Sequence, residues 1–205
     1  MHCMSPLEHC LITIVTASPA HLSILGEVAA CGLPDCWVAA GFVRDLVWDH
    51  LHGRPPELPR NDIDVIWFDA RRPHREQDKA LEAQLFAIRP EVRWSVDNQA
   101  RMHLRNDDPP YASAVDAMRH WPETATAVAV QLASGGQLAS GGQLRVAAPH
   151  GLEDLFAIVA RPTPGFMTGA RHAVHLQRVK DKGWRERWPL LRIAGDQPEA
   201  SAPMN

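Results

Sequence analysis

The chain has 205 residues, a formal net charge of −3, 45% hydrophobic and 22% charged residues. That length supports a full core without disulfide or metal staples, and the composition excludes a disordered chain. The mild acid excess excludes a protein that is basic throughout, though not one with a local basic patch.

The first Lys or Arg is Arg44, so the basic start of a secretory signal is missing. The apolar run at 11–15 is far too short to span a bilayer. The expectation is a cytoplasmic protein with no membrane contact. Cys3 and Cys10 are spaced C-x6-C, and Cys31 and Cys36 C-x4-C, without the C-x2-C of a zinc knuckle. His2 and His9 precede two of them, yet reduced, partly buried thiols are the reading adopted.

Ser18-Pro19 followed by Leu22, Leu25, Val28 and Ala29 predicts a capped amphipathic helix, stopped by Gly32 and Pro34. Residues 36–40 form a short apolar strand. After Gly41, the recurrence of Val43, Leu46, Val47, His50 and Leu51 predicts a second helix, closed by Gly53 and Pro55-Pro56. A loop rich in Pro and Arg runs to Arg60. Residues 62–68 read as a strand, 74–88 as a helix, and 92–96 as a half-buried strand with Val92, Trp94 and Val96 on one face. This alternation is an α/β pattern.

The second half predicts two strands, 126–132 and 144–148. Between them Gln-Leu-Ala-Ser-Gly-Gly occurs twice, from Gln131 and from Gln137. Six residues are too few for a solenoid unit, so the repeat reads as an insertion at a hairpin tip. Leu152, Leu155, Phe156 and Val159 predict a helix ending at Pro162, and 170–183 another, with Trp184 and Trp188 as core residues after it. Residues 171–192 carry seven Lys or Arg against two acids. That stretch reads as a solvated helix face or, alternatively, as a contact for RNA phosphates. The Gly, Pro, Ala and Ser content after Ile193 predicts a disordered tail.

No G-x-x-x-x-G-K-[ST], G-x-G-x-x-G or G-x-S-x-G is present. The informative residues are Gly41 to Asp45 and Asp62-Ile63-Asp64. Alternation along a strand puts Asp62 and Asp64 on one side, about 7 Å apart along the chain. Adjacent carboxylates repel unless a cation neutralises them, and hard oxygen ligands suit Mg²⁺ or Mn²⁺. Read alone, the pair is equally a strand end with two solvated acids. Gly41 lies between strand and helix, where free amides and the helix dipole favour an anion. Arg44, one turn inside, is placed to brace phosphates bidentately. Read alone, Gly41 is more simply an ordinary turn glycine and Arg44 a solvated arginine.

Together, Gly41, Val43-Arg44-Asp45 and Asp62-x-Asp64 resemble the DNA-polymerase-β-like nucleotidyltransferase superfamily, which includes the CCA-adding enzymes. Here the turn reads Ala40-Gly41-Phe42, where the superfamily usually has Gly-Gly or Gly-Ser. More of the chain is similar to a bacterial nucleotidyltransferase family: Gly41 to Asp49, Asn61 to Val65, Asn98 to His103, Trp121 to Val130 and Gly151 to Phe156. The resemblance covers about 20–192.

It implies a mixed α/β (α+β) sheet flanked by helices, with a hairpin and helices after it. One nucleotidyltransferase-like domain over 1–192 is expected, with its core at about 18–125, the hairpin and helices at 126–192, and the tail at 193–205. The implied activity is transfer of a nucleoside monophosphate from a nucleoside triphosphate to a hydroxyl acceptor, with release of pyrophosphate. The implied metal ligands are Asp62 and Asp64, with Asp97 as the third acid on a neighbouring strand; Ser95 shares its face but is not an acid. Asn98, Gln99 and Arg101 are candidates for base or sugar contact. His103 is a weaker candidate for a general base, since two-metal transfer can activate its own nucleophile. The acceptor, whether small molecule, RNA or protein, is left open, as is the oligomeric state. The alternative is a binding protein that keeps the fold without turnover.

Overall fold

The computed structural model describes residues 4–133 and 144–194. The chain opens with α1 (Pro6–Thr16) and α2 (Pro19–Ala30), then β1 (Trp37–Ala39) and α3 (Gly41–Leu51). It continues through β2 (Ile63–Trp67), α4 (Arg75–Ile88) and β3 (Trp94–Asn98). Two single-turn helices come next, α5 (Met102–Asn106) and α6 (Ala114–Met118), then β4 (Ala129–Leu132) and β5 (Leu144–Ala147). The last elements are α7 (Glu153–Phe156), β6 (Val159–Ala160), α8 (Gly169–Asp181), α9 (Trp184–Arg187) and β7 (Arg192–Ile193).

The main sheet has the order β3-β2-β1-β4-β5. Only β2 and β3 are parallel, joined over the sheet by α4; the other pairs are antiparallel. β6 and β7 form a separate parallel pair. Strand alternation divides the side chains between two faces. Val38, Ile63, Val65, Val96 and Val130 join one buried cluster with Leu25 and Val28 of α2, Val43 and Val47 of α3, and Leu81 and Leu85 of α4. Trp37, Ala39, Ile66 and Ala129 line the opposite face, where Ala114 and Met118 of α6 cover them.

Local chemistry explains the helix starts. Ser5 and Ser18 cap α1 and α2 by accepting from the Glu8 and His21 amides, and each is followed by Pro at the first helical position. The sequence pattern places α2, β1, α3, β2, α4 and α8 within about two residues. It does not mark α1, where the apolar residues crowd into Leu11 to Val15 and only Leu11 and Val15 are buried. β3 begins and ends two residues later than expected, so Asp97 and Asn98 are strand residues. The helix expected over 152–159 is one turn, broken at Ile158 with φ 54°. Residues 126–128 belong to a turn, and β4 starts only at Ala129. The first copy of the hexapeptide starts inside β4 with Gln131 and Leu132; residues 134–142 of the repeat lie outside the described residues, as does the tail from 195.

The C-terminal helices are held to α3 by charge and aromatic rings. Arg187 donates to Asp45 at 2.9 Å and to Asp49 at 2.8 Å, and the Trp188 indole donates to Asp49 at 2.8 Å. Trp184 and Trp188 pack edge-on against Trp48, whose own indole donates to the Leu155 carbonyl. Inside this box lies Arg44, 5% exposed, stacked 4.3 Å from the Trp184 ring. It donates to Thr126 at 3.0 Å and to Asp45 at 2.6 Å.

No single helix among the described residues is long and apolar enough to cross a membrane. α1 and α2 pass that test only as a pair, bent by 95°, and their buried residues belong to the core.

Removing Arg44 would leave buried Thr126 without its donor and Asp45 with Arg187 alone, and breaking a buried ion pair costs about 3–5 kcal/mol. Arg44→Ala is therefore expected to destabilise the protein by about 3 kcal/mol or more, read from urea denaturation. A loss under about 1 kcal/mol would show that Arg44 behaves as a surface residue.

Candidate active site

The site is built where β1 ends, α3 begins and β2 starts. Ala39 pairs with Asp64 in the ladder, so the Gly41 turn leaves the sheet beside the acid-bearing end of β2. Asp62, just before β2, and Asp64, its second residue, are both half-buried, and the two charges act on one another. Burial, reinforced by the charge of Asp62, pushes the Asp64 carboxyl up to about 6. Arg44 and Arg178 pull it back, so both cations act close to it. Asp97 also adds to the rise.

Asp97 lies on the same face as Asp64, but its register partner is Ile66; Ser95 is the residue beside Asp64. It therefore sits one side-chain step further along, about 7 Å. Its carboxylate accepts from Arg101 at 3.0 Å, while burial raises its pKa. Among the described residues no three His, Cys, Asp or Glu side chains cluster as a ready metal site. The fit to a cation therefore rests on Asp62 and Asp64. Two hard carboxylates leave most positions to water and phosphate oxygens, which is how Mg²⁺ is usually held.

The turn itself is strained. Ala40 takes φ 55° and ψ −121°, a conformation that favours glycine, and gives α3 no side-chain cap. The first amides of α3 are thus left uncapped by any side chain. A Cβ built on Gly41 would lie 3.6 Å from the Arg44 guanidinium, so the cation sits directly beneath the turn. Both terminal nitrogens of Arg44 are engaged within the protein, which makes it a source of positive field rather than a phosphate clamp.

The other expected nucleotide contacts are engaged in the same way. Asn98 is fully buried; its amide donates to the Asp69 and Arg72 carbonyls and its oxygen accepts from the Ala100 amide. Gln99 is 5% exposed and donates to the Asp97 carbonyl. Arg101 pairs with buried Asp78 as well as with Asp97. These three frame the end of β3. His103 stands edge-on to Tyr111, its Nδ1 buried without a partner.

Sequence reasoning missed Arg178 and Glu123. Glu123 is fully buried, accepting from Arg178 and facing His175 at 3.4 Å, and this fastens α8 beside the acids. Its signal was Trp121-Pro-Glu-Thr, which reads as packing; that of Arg178 was the basic stretch. Three of its seven cations are paired with acids elsewhere in the fold: Arg171 holds Asp108, Arg178 Glu123, and Arg187 Asp45 and Asp49. The described thiols Cys10, Cys31 and Cys36 are unbridged, and burial pushes Cys36 up to about 12.

A family model described as nucleotidyltransferase matches residues 26–193. The chain belongs to this nucleotidyltransferase family. A solved structure 32% identical to it superposes with a TM-score of 0.79, covering 95% of this chain and 98% of that one. That structure is described as revealing a CCA-adding enzyme head domain. No curated protein matches. Family and fold together support nucleotidyl transfer as the general activity of this nucleotidyltransferase.

The geometry sets two expected outcomes. Between about pH 4 and 6 folded Asp64 holds a proton that the unfolded chain has lost, so stability falls as pH rises through that window. The full effect is about 3 kcal/mol. In EDTA, Asp64→Asn is expected to raise Tm at pH 7 and flatten its decline from pH 5; an unchanged slope would contradict this.

Strain at Ala40 is worth about 1–3 kcal/mol and would grow with a β-branched side chain. Ala40→Val is expected to cost more than about 2 kcal/mol. Ala40→Gly should stay within about 1 kcal/mol of the parent, because strain relief offsets the lost methyl and added chain entropy. Both values are read from urea denaturation.

Proposed function

We propose that the protein transfers a nucleoside monophosphate from a nucleoside triphosphate to a hydroxyl acceptor, with Mg²⁺ or Mn²⁺ held by Asp62 and Asp64. The observation that carries this is the closeness of those two acids in charge, with the uncapped Gly41 turn and the Arg44 and Arg178 cations beside them. The turn amides receive phosphate oxygens, which glycine allows to approach the backbone. Arg44, from beneath, makes that region electropositive without moving. Arg178, half-exposed, balances the acids when no cation is present. A bound divalent ion would neutralise charge on the transferring phosphoryl group.

The acceptor oxygen forms a bond to the α-phosphorus as the bond to the pyrophosphate oxygen breaks. Asp97 is assigned the hydroxyl proton, since burial raises its proton affinity and it lies on the same face as Asp64. Arg101, anchored by Asp78, orients it.

One observation favours the second reading, a protein that binds nucleotide without turnover: Asp97 stands one step away from the Asp62–Asp64 pair. Pyrophosphate release separates the two. In a screen of four NTPs with Mg²⁺ or Mn²⁺ and hydroxyl acceptors, the parent is expected to release pyrophosphate. Asp64→Asn should lower the rate by about two orders of magnitude or more, through lost electrostatic stabilisation. Full transfer by Asp64→Asn would overturn the assignment.

A further inference from the structure

A cleft of about 660 Å³ opens between the loop 54–61 and the junction of α8 with α9. Its size suits a small polar molecule. Arg54, Arg60, Lys182 and Arg187 face it against Asp49, Glu57 and Glu186, so its lining carries one net positive charge. Arg54 and Arg187 already balance acids of α3. Arg60 and Lys182 are exposed and make no ion pair among the described residues, and they stand on different walls. No aromatic ring lines the cleft, so it offers nothing on which a base would stack.

Both walls lead to the acids. Asn61, on one wall, is the neighbour of Asp62 in the chain. Lys182, on the other, comes four residues after Arg178 at the end of α8, one helical turn away. Arg178 is one of the two cations, with Arg44, whose charge reaches Asp64. An anionic group between Arg60 and Lys182 thus lies two residues along the chain from Asp62 on one wall and one helical turn from Arg178 on the other.

We propose that this cleft seats the acceptor, and that the acceptor is a phosphate-bearing small molecule whose phosphate is held by Arg60 and Lys182. The proposal rests on the transferase reading and adds the acceptor's chemical class. Two free cations on opposite walls give charge-assisted bonds to an oxyanion. Glu57 and Glu186 in the same lining disfavour a long polyanion.

The test has two arms. In the first, ¹⁵N-labelled protein in EDTA is titrated with inorganic phosphate. Saturable shifts are expected at Arg60, Asn61, Lys182 and Gly183. Arg60→Ala with Lys182→Ala should weaken binding about tenfold, the loss of two charge-assisted bonds. Equal affinity in that double variant, or shifts confined to Gly41 and Phe42, would overturn the proposal.

The second arm measures pyrophosphate release from NTP and Mg²⁺ with hydroxyl compounds offered with and without a phosphate group, and with a short RNA. Phosphorylated compounds are expected to stimulate release most, and the double variant to raise KM for them while KM for NTP stays unchanged. A raised KM for NTP, or preferential stimulation by RNA, would overturn the proposal. Absence of pyrophosphate with every acceptor would instead defeat the transferase reading, and the phosphate titration would still decide the cleft.

Discussion

Two carboxylates side by side, one of them largely cut off from water, form the constraint around which the protein is arranged. Asp64 beside Asp62 requires positive charge nearby, and the fold supplies Arg44 and Arg178. Arg44 is itself buried and needs a counter-charge, which Asp45 provides. Asp45 is shared with Arg187, and Arg187 with Asp49. An alternating series of charges thus runs from the acids through α3 to α9, closed by the Trp48, Trp184 and Trp188 rings. The C-terminal helices belong to the same electrostatic unit as the acids.

That unit changes the meaning of Val43-Arg44-Asp45. The motif has the composition of a phosphate clamp, and the resemblance to nucleotidyltransferases invites that reading. In the fold both charged side chains point into the protein, where Arg44 holds Thr126 and Asp45 holds Arg187 of α9. In the proposed function phosphate binding therefore falls to the turn backbone, where Ala40 is held in a glycine-like conformation. A strained residue beside paired acids is a combination that functional sites tolerate and ordinary turns avoid.

The elements with strong local signals were legible in the sequence. Ser18-Pro19 capped α2, β-branched and aromatic residues marked β2, and the D-x-D spacing put Asp62 and Asp64 close enough for their charges to interact. The face of Asp97 came from alternation, since period two survives a shift in strand boundaries. Its register did not: whether Ser95 or Asp97 stands beside Asp64 is set by how β3 pairs with β2. Asn98, Gln99 and Arg101 have the polarity of ligand-binding residues, and only tertiary structure shows that backbone carbonyls, amides and Asp78 take their hydrogen bonds. The basic run at 171–192 hid Arg178 for the same reason. A pairing of Arg178 with Glu123 across 55 residues has no local trace.

The most direct test of cation binding by the Asp62–Asp64 pair uses Mn²⁺ as a paramagnetic probe. Substoichiometric Mn²⁺ would be added to ¹⁵N-labelled protein with a non-hydrolysable NTP analogue, and amide broadening read residue by residue. The account predicts that Gly41, Asp62, Ile63 and Asp64 broaden first, that Mg²⁺ restores them in competition, and that Asp64→Asn abolishes the effect while the protein stays folded. Broadening centred elsewhere, or unchanged in Asp64→Asn, would contradict it.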